Sequence, residues 1–285
     1  MPSRSRHRSL FFVLILAACF ILLLPLSFNT YESRLADASR LVERWELVGA
    51  QNVLTVLVEE KPKALRALEL FAQTLLHRGE LRKAQSVLDR LVGADSVDRS
   101  THYVTLAFTH YYLGSLDTAT KLANECLSHA QLSADTVLLA RCQNLLGLIA
   151  FHHGRYDTAR EYQNNSLALA RAVGSKQVEA DAVRQLGVLK WYEGRFDEAV
   201  SGFYEPALAL YRELDDKVGE ATALSNIGLI HSEGSDYQQS LKYQLEAFRV
   251  RSQIGDQRGR NAVGADGAAP KSRHVSARTL GGSGR

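Results

Sequence analysis

A chain of 285 residues with 46% hydrophobic and 23% charged residues can fold as a soluble body, and only five prolines interrupt it, which favours helices. Its formal net charge of +3 sits at the ends: Arg4, Arg6 and Arg8 carry +3 and residues 257–285 carry +5, leaving about −5 between them. A mildly acidic body lacks the basic footprint that phosphate backbones require, so nucleic acid is excluded as the expected partner of the folded part.

The chain opens on a basic stretch, residues 1–9, and turns wholly apolar from Leu10 to Phe28. As a helix that run spans roughly 28 Å at about 1.5 Å per residue, close to the roughly 30 Å hydrocarbon core of a bilayer. With arginines in front and none directly behind, it predicts a single-pass anchor with a cytoplasmic N-terminus. The rest of the chain is then expected outside, in the periplasm of a Gram-negative cell. A cleaved signal peptide is a second reading. A third is a lipoprotein signal, since Leu16-Ala17-Ala18-Cys19 resembles a lipobox with Cys19 as the lipidated residue; the apolar Phe20–Leu24 continuation argues against it. Residues 29–64 are expected to be a helical connector. Tyr31, Leu35, Ala38, Val42 and Trp45 recur at helical spacing, and a second helix from Val53 to Glu60 ends before Lys61-Pro62. Trp45 is expected to anchor this connector on the segment that follows.

From residue 65 to 256 the chain repeats itself. Small residues recur at Ala107, Gly147, Gly187 and Gly228, at Ala119, Ala159, Ala199 and Ser240, and at Cys126, Ser166, Ala207 and Ala247. Every step is 40 or 41 residues, and the shifts place one extra residue in the second helix of the third copy. Small side chains at fixed places mean that two helices of one unit, and the first helix of the next, approach closely there. The landmarks Leu146-Gly147 through Gly154-Arg155-Tyr156-Asp157-Thr158-Ala159, and Leu186-Gly187 through Gly194-Arg195-Phe196-Asp197-Glu198-Ala199, resemble the tetratricopeptide repeat family in its roughly forty-residue variety. The fourth copy has Ser235 where the second glycine belongs, and the earliest, Leu65 to Asp95, keeps Gly79 and Ala84. The resemblance implies an all-α fold: about five antiparallel helix pairs in a right-handed solenoid, behind the N-terminal transmembrane helix and ahead of a tail.

One local conflict stands inside this pattern. Pro206 falls within a helix at Ser201–Pro206, beside the extra residue, where a proline costs roughly 3 kcal/mol; a bulge or kink is expected. Cys126 and Cys142 are neighbours in the repeat frame, and two readings stand open: buried small hydrophobes or a disulfide if the chain is exported.

Catalytic constellations are absent from the pattern, so the chain is expected not to be an enzyme and to need no cofactor. His152-His153 beside Asp157 lies on a repeat turn without a further ligand, and Gly264–Ser272 lacks the spacing of a phosphate loop. What the family resemblance implies instead is a binding groove lined by the first helix of each repeat. Its candidate residues are Tyr111 and Tyr112, with Val104 and Phe108; Arg141, Asn144 and His152, with Leu148 and Phe151; and Arg184, Trp191 and Tyr192, with Val188. Aromatics and arginines of this kind are enriched at binding hot spots, and arginine takes carboxylates in a two-pronged grip. The expected ligand is an extended or helical peptide, or a protein partner, with an acidic element.

Residues 257–285 carry glycine and no aromatic residue and are expected to be a disordered basic tail. No capping helix follows the last repeat, so Tyr243, Phe248, Val250 and Ile254 are expected on an uncovered face, covered by a partner or reflecting a truncated chain. Two functions follow as expectations. One is a membrane-anchored, extracytoplasmic interaction scaffold. The other is the truncated sensory region of a bacterial signalling protein, of diguanylate cyclase or histidine kinase type, without its catalytic domain.

Overall fold

The computed structural model describes residues 30–92 and 100–255. The apolar run 10–28, the basic N-terminus and the tail 257–285 lie outside the described residues. Among those described, all regular structure is helical: α1 (Tyr31–Glu43), α2 (Leu47–Glu60), α3 (Leu65–His77), α4 (Leu81–Val92), α5 (Ser100–Tyr112), α6 (Leu116–Leu132), α7 (Thr136–His152), α8 (Tyr156–Ala172), α9 (Lys176–Tyr192), α10 (Phe196–Ala199), a π turn (Val200–Tyr204), α11 (Glu205–Glu213), α12 (Lys217–Glu233) and α13 (Tyr237–Ile254). They form two compact units, one of residues up to Ala134 with Arg249–Gln257, the other of Asp135–Phe248.

Among the described residues no helix is long and apolar enough to cross a membrane. This corrects the single-pass topology and extracytoplasmic placement expected from the sequence. The described helices are amphipathic, and apart from one exposed stripe on α13 their apolar faces are largely occupied by neighbouring helices.

In the first unit the expected connector is itself a hairpin. Ala38, Ala50, Leu54 and Leu57 join Leu68, Leu75, Ala84 and Leu88 in one core, and Trp45 sets its ring edge-on to His77, 5.0 Å between centroids. Burial works to raise the Glu80 carboxyl, but hydrogen bonds from Lys83 (2.6 Å), Arg78 (3.0 Å) and Gln51 outweigh it and hold the group below its usual range. The end of α13 also belongs here. Val250 and Ile254, expected to be uncovered, are 9% and 3% exposed, and a Cβ on Gly255 would stand 3.2 Å from Val48 Cγ2 and 3.6 Å from Arg78 Nη1. Val48 and Arg78 of this unit thus stand beside that helix end, a contact the sequence does not reveal.

In the second unit, Asp135 and Asp216 cap α7 and α12, accepting from Leu138 N and Gly219 N, each at 2.9 Å. The helix-to-helix turns need one residue in the left-handed region. Gly154 and Gly194 supply it at φ +72° and +74°, and Ser235 adopts it at +63° with the same pair of closing bonds. The small positions also mark close approaches: a Cβ on Gly147 would fall 2.3 Å from Gln163 Nε2, and one on Gly187 3.0 Å from Phe203 Cβ. Cys142 here and Cys126 in the first unit are each fully buried and disulfide-bonded.

The extra residue of the third copy is absorbed by the π turn, where Glu205 N donates to Val200 O, five residues back. Pro206 follows at the second position of α11. The widened turn has already broken the i→i−4 ladder there, so its missing N–H leaves no gap.

Candidate functional site

The two tyrosines of α5 meet edge-on at 5.3 Å, and Tyr112 stacks beside Phe108 at 6.4 Å; Tyr112 is exposed and Tyr111 half-buried, both in the first unit. The other six candidates lie in the second unit, and they divide into different roles.

Asn144 is 4% exposed and faces its own hairpin. Its Nδ2 donates to Gln163 Oε1 and its backbone oxygen accepts from Gln163 Nε2, both at 2.9 Å. Asn144 is therefore a brace between α7 and α8 rather than an open contact. The corresponding bond in the last hairpin runs from Gln244 Nε2 to Ser225 O, 3.1 Å. Between α7, α8 and α9 the remaining void is about 10 Å³, room for one water, so no small-molecule chamber opens there.

Toward the carboxyl ends of α7 and α9 lies an aromatic cluster. Phe151 is buried; His152 meets it edge-on at 6.3 Å, and Tyr192 does so at 5.8 Å. Tyr156 and Tyr192 are 4.1 Å apart; burial first, then the hydrogen bond with Tyr192, pushes the Tyr156 hydroxyl up to about 12. Burial, then the neighbouring His153, pulls the His152 imidazole down. Trp191 is half-buried and donates from Nε1 to Glu233 Oε2 at 2.8 Å.

Nearer the amino ends of the same helices a charged cluster assembles. Tyr211, fully buried on α11, donates its hydroxyl to Asp181 Oδ1 at 2.7 Å and accepts from Arg184 Nε at 3.2 Å. With its amide oxygen turned toward the Arg184 guanidinium, Gln185 accepts from it at 2.8 and 3.1 Å. Burial raises the Asp181 carboxyl despite Arg184, the Tyr211 hydrogen bond and Arg141. Arg141 differs from the others. Burial pulls its pKa down while Asp181 and Asp135 act the other way, and among the described residues no hydrogen bond or close ion pair engages its guanidinium.

Sequence reasoning found the two arginines but missed Asp181 and Tyr211. A signal was present. Ala170 and Val178, both buried, pack together at the junction of α8 and α9. One repeat later, 41 residues on, stand Tyr211 and Gly219: large and small have changed places. A Cβ on Gly219 would fall 2.2 Å from the Tyr211 ring, so the glycine is what lets the tyrosine through to α9.

The stacked hairpins, their turn chemistry and the shared face of α7, α9 and α12 define a helical repeat scaffold. The Tetratricopeptide repeat family matches residues 98–172, 138–203 and 178–253, more than half of the chain, and the chain belongs to that family. Among solved structures it is similar to NprR in complex with its cognate peptide NprX (TM-score 0.66, 13% identity, covering 84% of this chain and 74% of that one). It is also similar to a Rap protein complexed with Competence and Sporulation Factor (0.61, 11%, 80% and 79%). A third is the Rap conjugation gene regulator of plasmid pLS20 in complex with the Phr* peptide (0.61, 19%, 79% and 62%). At these identities the likeness is one of fold. No curated protein matches the chain.

Proposed function

We propose that this protein is a non-catalytic interaction scaffold that captures a peptide, or an extended segment of a protein, on the first-helix face of its second unit. The observation that carries the reading is Arg141. A guanidinium held in a desolvated place without an acceptor is costly to leave so, and a ligand carboxylate supplies the missing partner in a geometry that suits arginine. Asp181, Arg184 and Tyr211 fix the floor beside it, and Trp191 and Tyr192 offer aromatic area further along the same helix. The fold it shares with regulators solved with bound peptides supports the same reading.

The test is a random dodecapeptide phage library panned against the full chain, with Arg141→Gln and Trp191→Ala panned in parallel. The expected result is enrichment of peptides with an aspartate or glutamate at a fixed position, lost with Arg141→Gln and weakened roughly tenfold or more with Trp191→Ala, a typical hot-spot cost. Equal enrichment on the Arg141→Gln protein, with normal helicity, removes this face from the function.

A further inference from the structure

The exposed large apolar residues of the second unit are concentrated on one helix. On α13, Tyr237, Leu241, Leu245 and Phe248 are 68%, 60%, 47% and 49% exposed, and their spacing of four, four and three residues puts them on one face. In α8 the same positions hold Tyr156, Arg160, Asn164 and Leu167. Tyr156 and Leu167 there pack into a core with Leu186 and Leu189 of the next helix, and Arg160 is ion-paired to Glu193 (2.5 Å) and Asp157 (2.9 Å). In α13 the two polar members have become leucines and Leu167 has become phenylalanine. The last helix is thus more apolar on this face than repeat stacking requires, and it is the face left open.

We infer that α13 is a self-association surface, and that its occupant is α13 of a second copy packed antiparallel about a two-fold axis. The stripe is close to a palindrome: aromatic, leucine, leucine, aromatic. With the axis midway between Leu241 and Leu245, Tyr237 of one copy meets Phe248 of the other, and Leu241 meets Leu245, the reciprocal pattern that a two-fold interface demands. Lys242 and Arg249 border it on one flank, and Lys242 leans over its own Tyr243 ring, 5.8 Å from the centroid. The four stripe side chains themselves carry no charge, so nothing in them selects an oppositely charged partner. The four side chains offer on the order of 500 Å² per copy, less than the roughly 800 Å² per partner of a standard interface. The dimer is accordingly weak and dependent on concentration.

The experiment is sedimentation velocity of the full chain in non-ionic detergent, which keeps the apolar run 10–28 from driving association, between about 1 and 200 μM, the range suited to an interface of this size. The expected result is a monomer–dimer equilibrium in the wild type. The double variant Leu241→Arg, Leu245→Asn, which writes the residues of α8 into α13, raises the dissociation constant at least about a hundredfold with unchanged helicity. Should that variant misfold, Phe248→Glu is read in the same way. A wild type monomeric throughout, or a dimer that survives either folded variant, overturns the inference.

Discussion

Tyr211 shows how one side chain carries both packing and polarity. It fills space that Gly219 vacates and brings a hydroxyl between Asp181 and Arg184. Tyr211→Ala opens a cavity and is expected to cost about 3–5 kcal/mol. Gly219→Val drives a side chain into the ring and is expected to cost about 3 kcal/mol. The double variant recreates the Ala170–Val178 pairing of the previous repeat, so it should be less destabilised than the sum by about 2 kcal/mol or more in urea unfolding. Simple additivity would show that the exchange of sizes is not compensatory. Asp181 adds a pH dependence. Its carboxyl is raised in the folded protein, chiefly by burial, so the folded state takes up a proton before the unfolded one as pH falls. Stability associated with this group is present in acid and lost as pH rises through the raised value. Thermal melts of wild type and Asp181→Asn should diverge most at neutral pH and converge as pH falls toward the ordinary carboxylate range. A constant offset would disprove the linkage.

At the scale of the element, the third hairpin accommodates an insertion that its neighbours lack. The π turn at Val200–Tyr204 takes up one residue, and both Tyr204 and Tyr211 end up fully buried, with Arg184 near enough to bear on both hydroxyls. Pro206 sits where the helical ladder is already interrupted, so Pro206→Ala is expected to shift stability by less than about 1 kcal/mol, against roughly 3 kcal/mol for a proline in an intact helix interior. A large gain on substitution would mean that the proline, rather than the extra residue, imposes the turn. The conflict was legible in the sequence because a proline and a broken period coincide. Which tyrosine reaches which carboxylate was not, since a single π turn rotates every residue after it about the helix axis.

Over the whole molecule, the described helices and the short turns between them account for the chain from residue 31 to 254 apart from 93–99, in two units whose cores are apolar and whose edges are laced with ion pairs such as Arg171–Glu179 and Arg212–Glu246. Exposed pairs of this kind add little individually; burial of large apolar side chains such as Leu54, Leu75, Leu145 and Ile149 between helices does most of the stabilising. The disulfide state of Cys126 and Cys142 is a property of the full chain. Thiol titration in denaturant should find two more thiols after reduction than before; equal counts would show both cysteines free.

The sequence by itself determined the helical repeat, its period, the glycine seams and the site of the irregular turn, because these rest on local spacing and on residue size, which are written in one dimension. It also yielded the arginines and aromatics of the first helices as candidates. Only the tertiary structure decided that Asn144 is an internal brace, that Asp181 and Tyr211 complete the charged cluster, that α1 and α2 form a hairpin of their own, and that Val250 and Ile254 are covered. Those outcomes depend on which face of a helix meets which neighbour across tens or hundreds of residues, and amphipathic periodicity alone leaves that choice open.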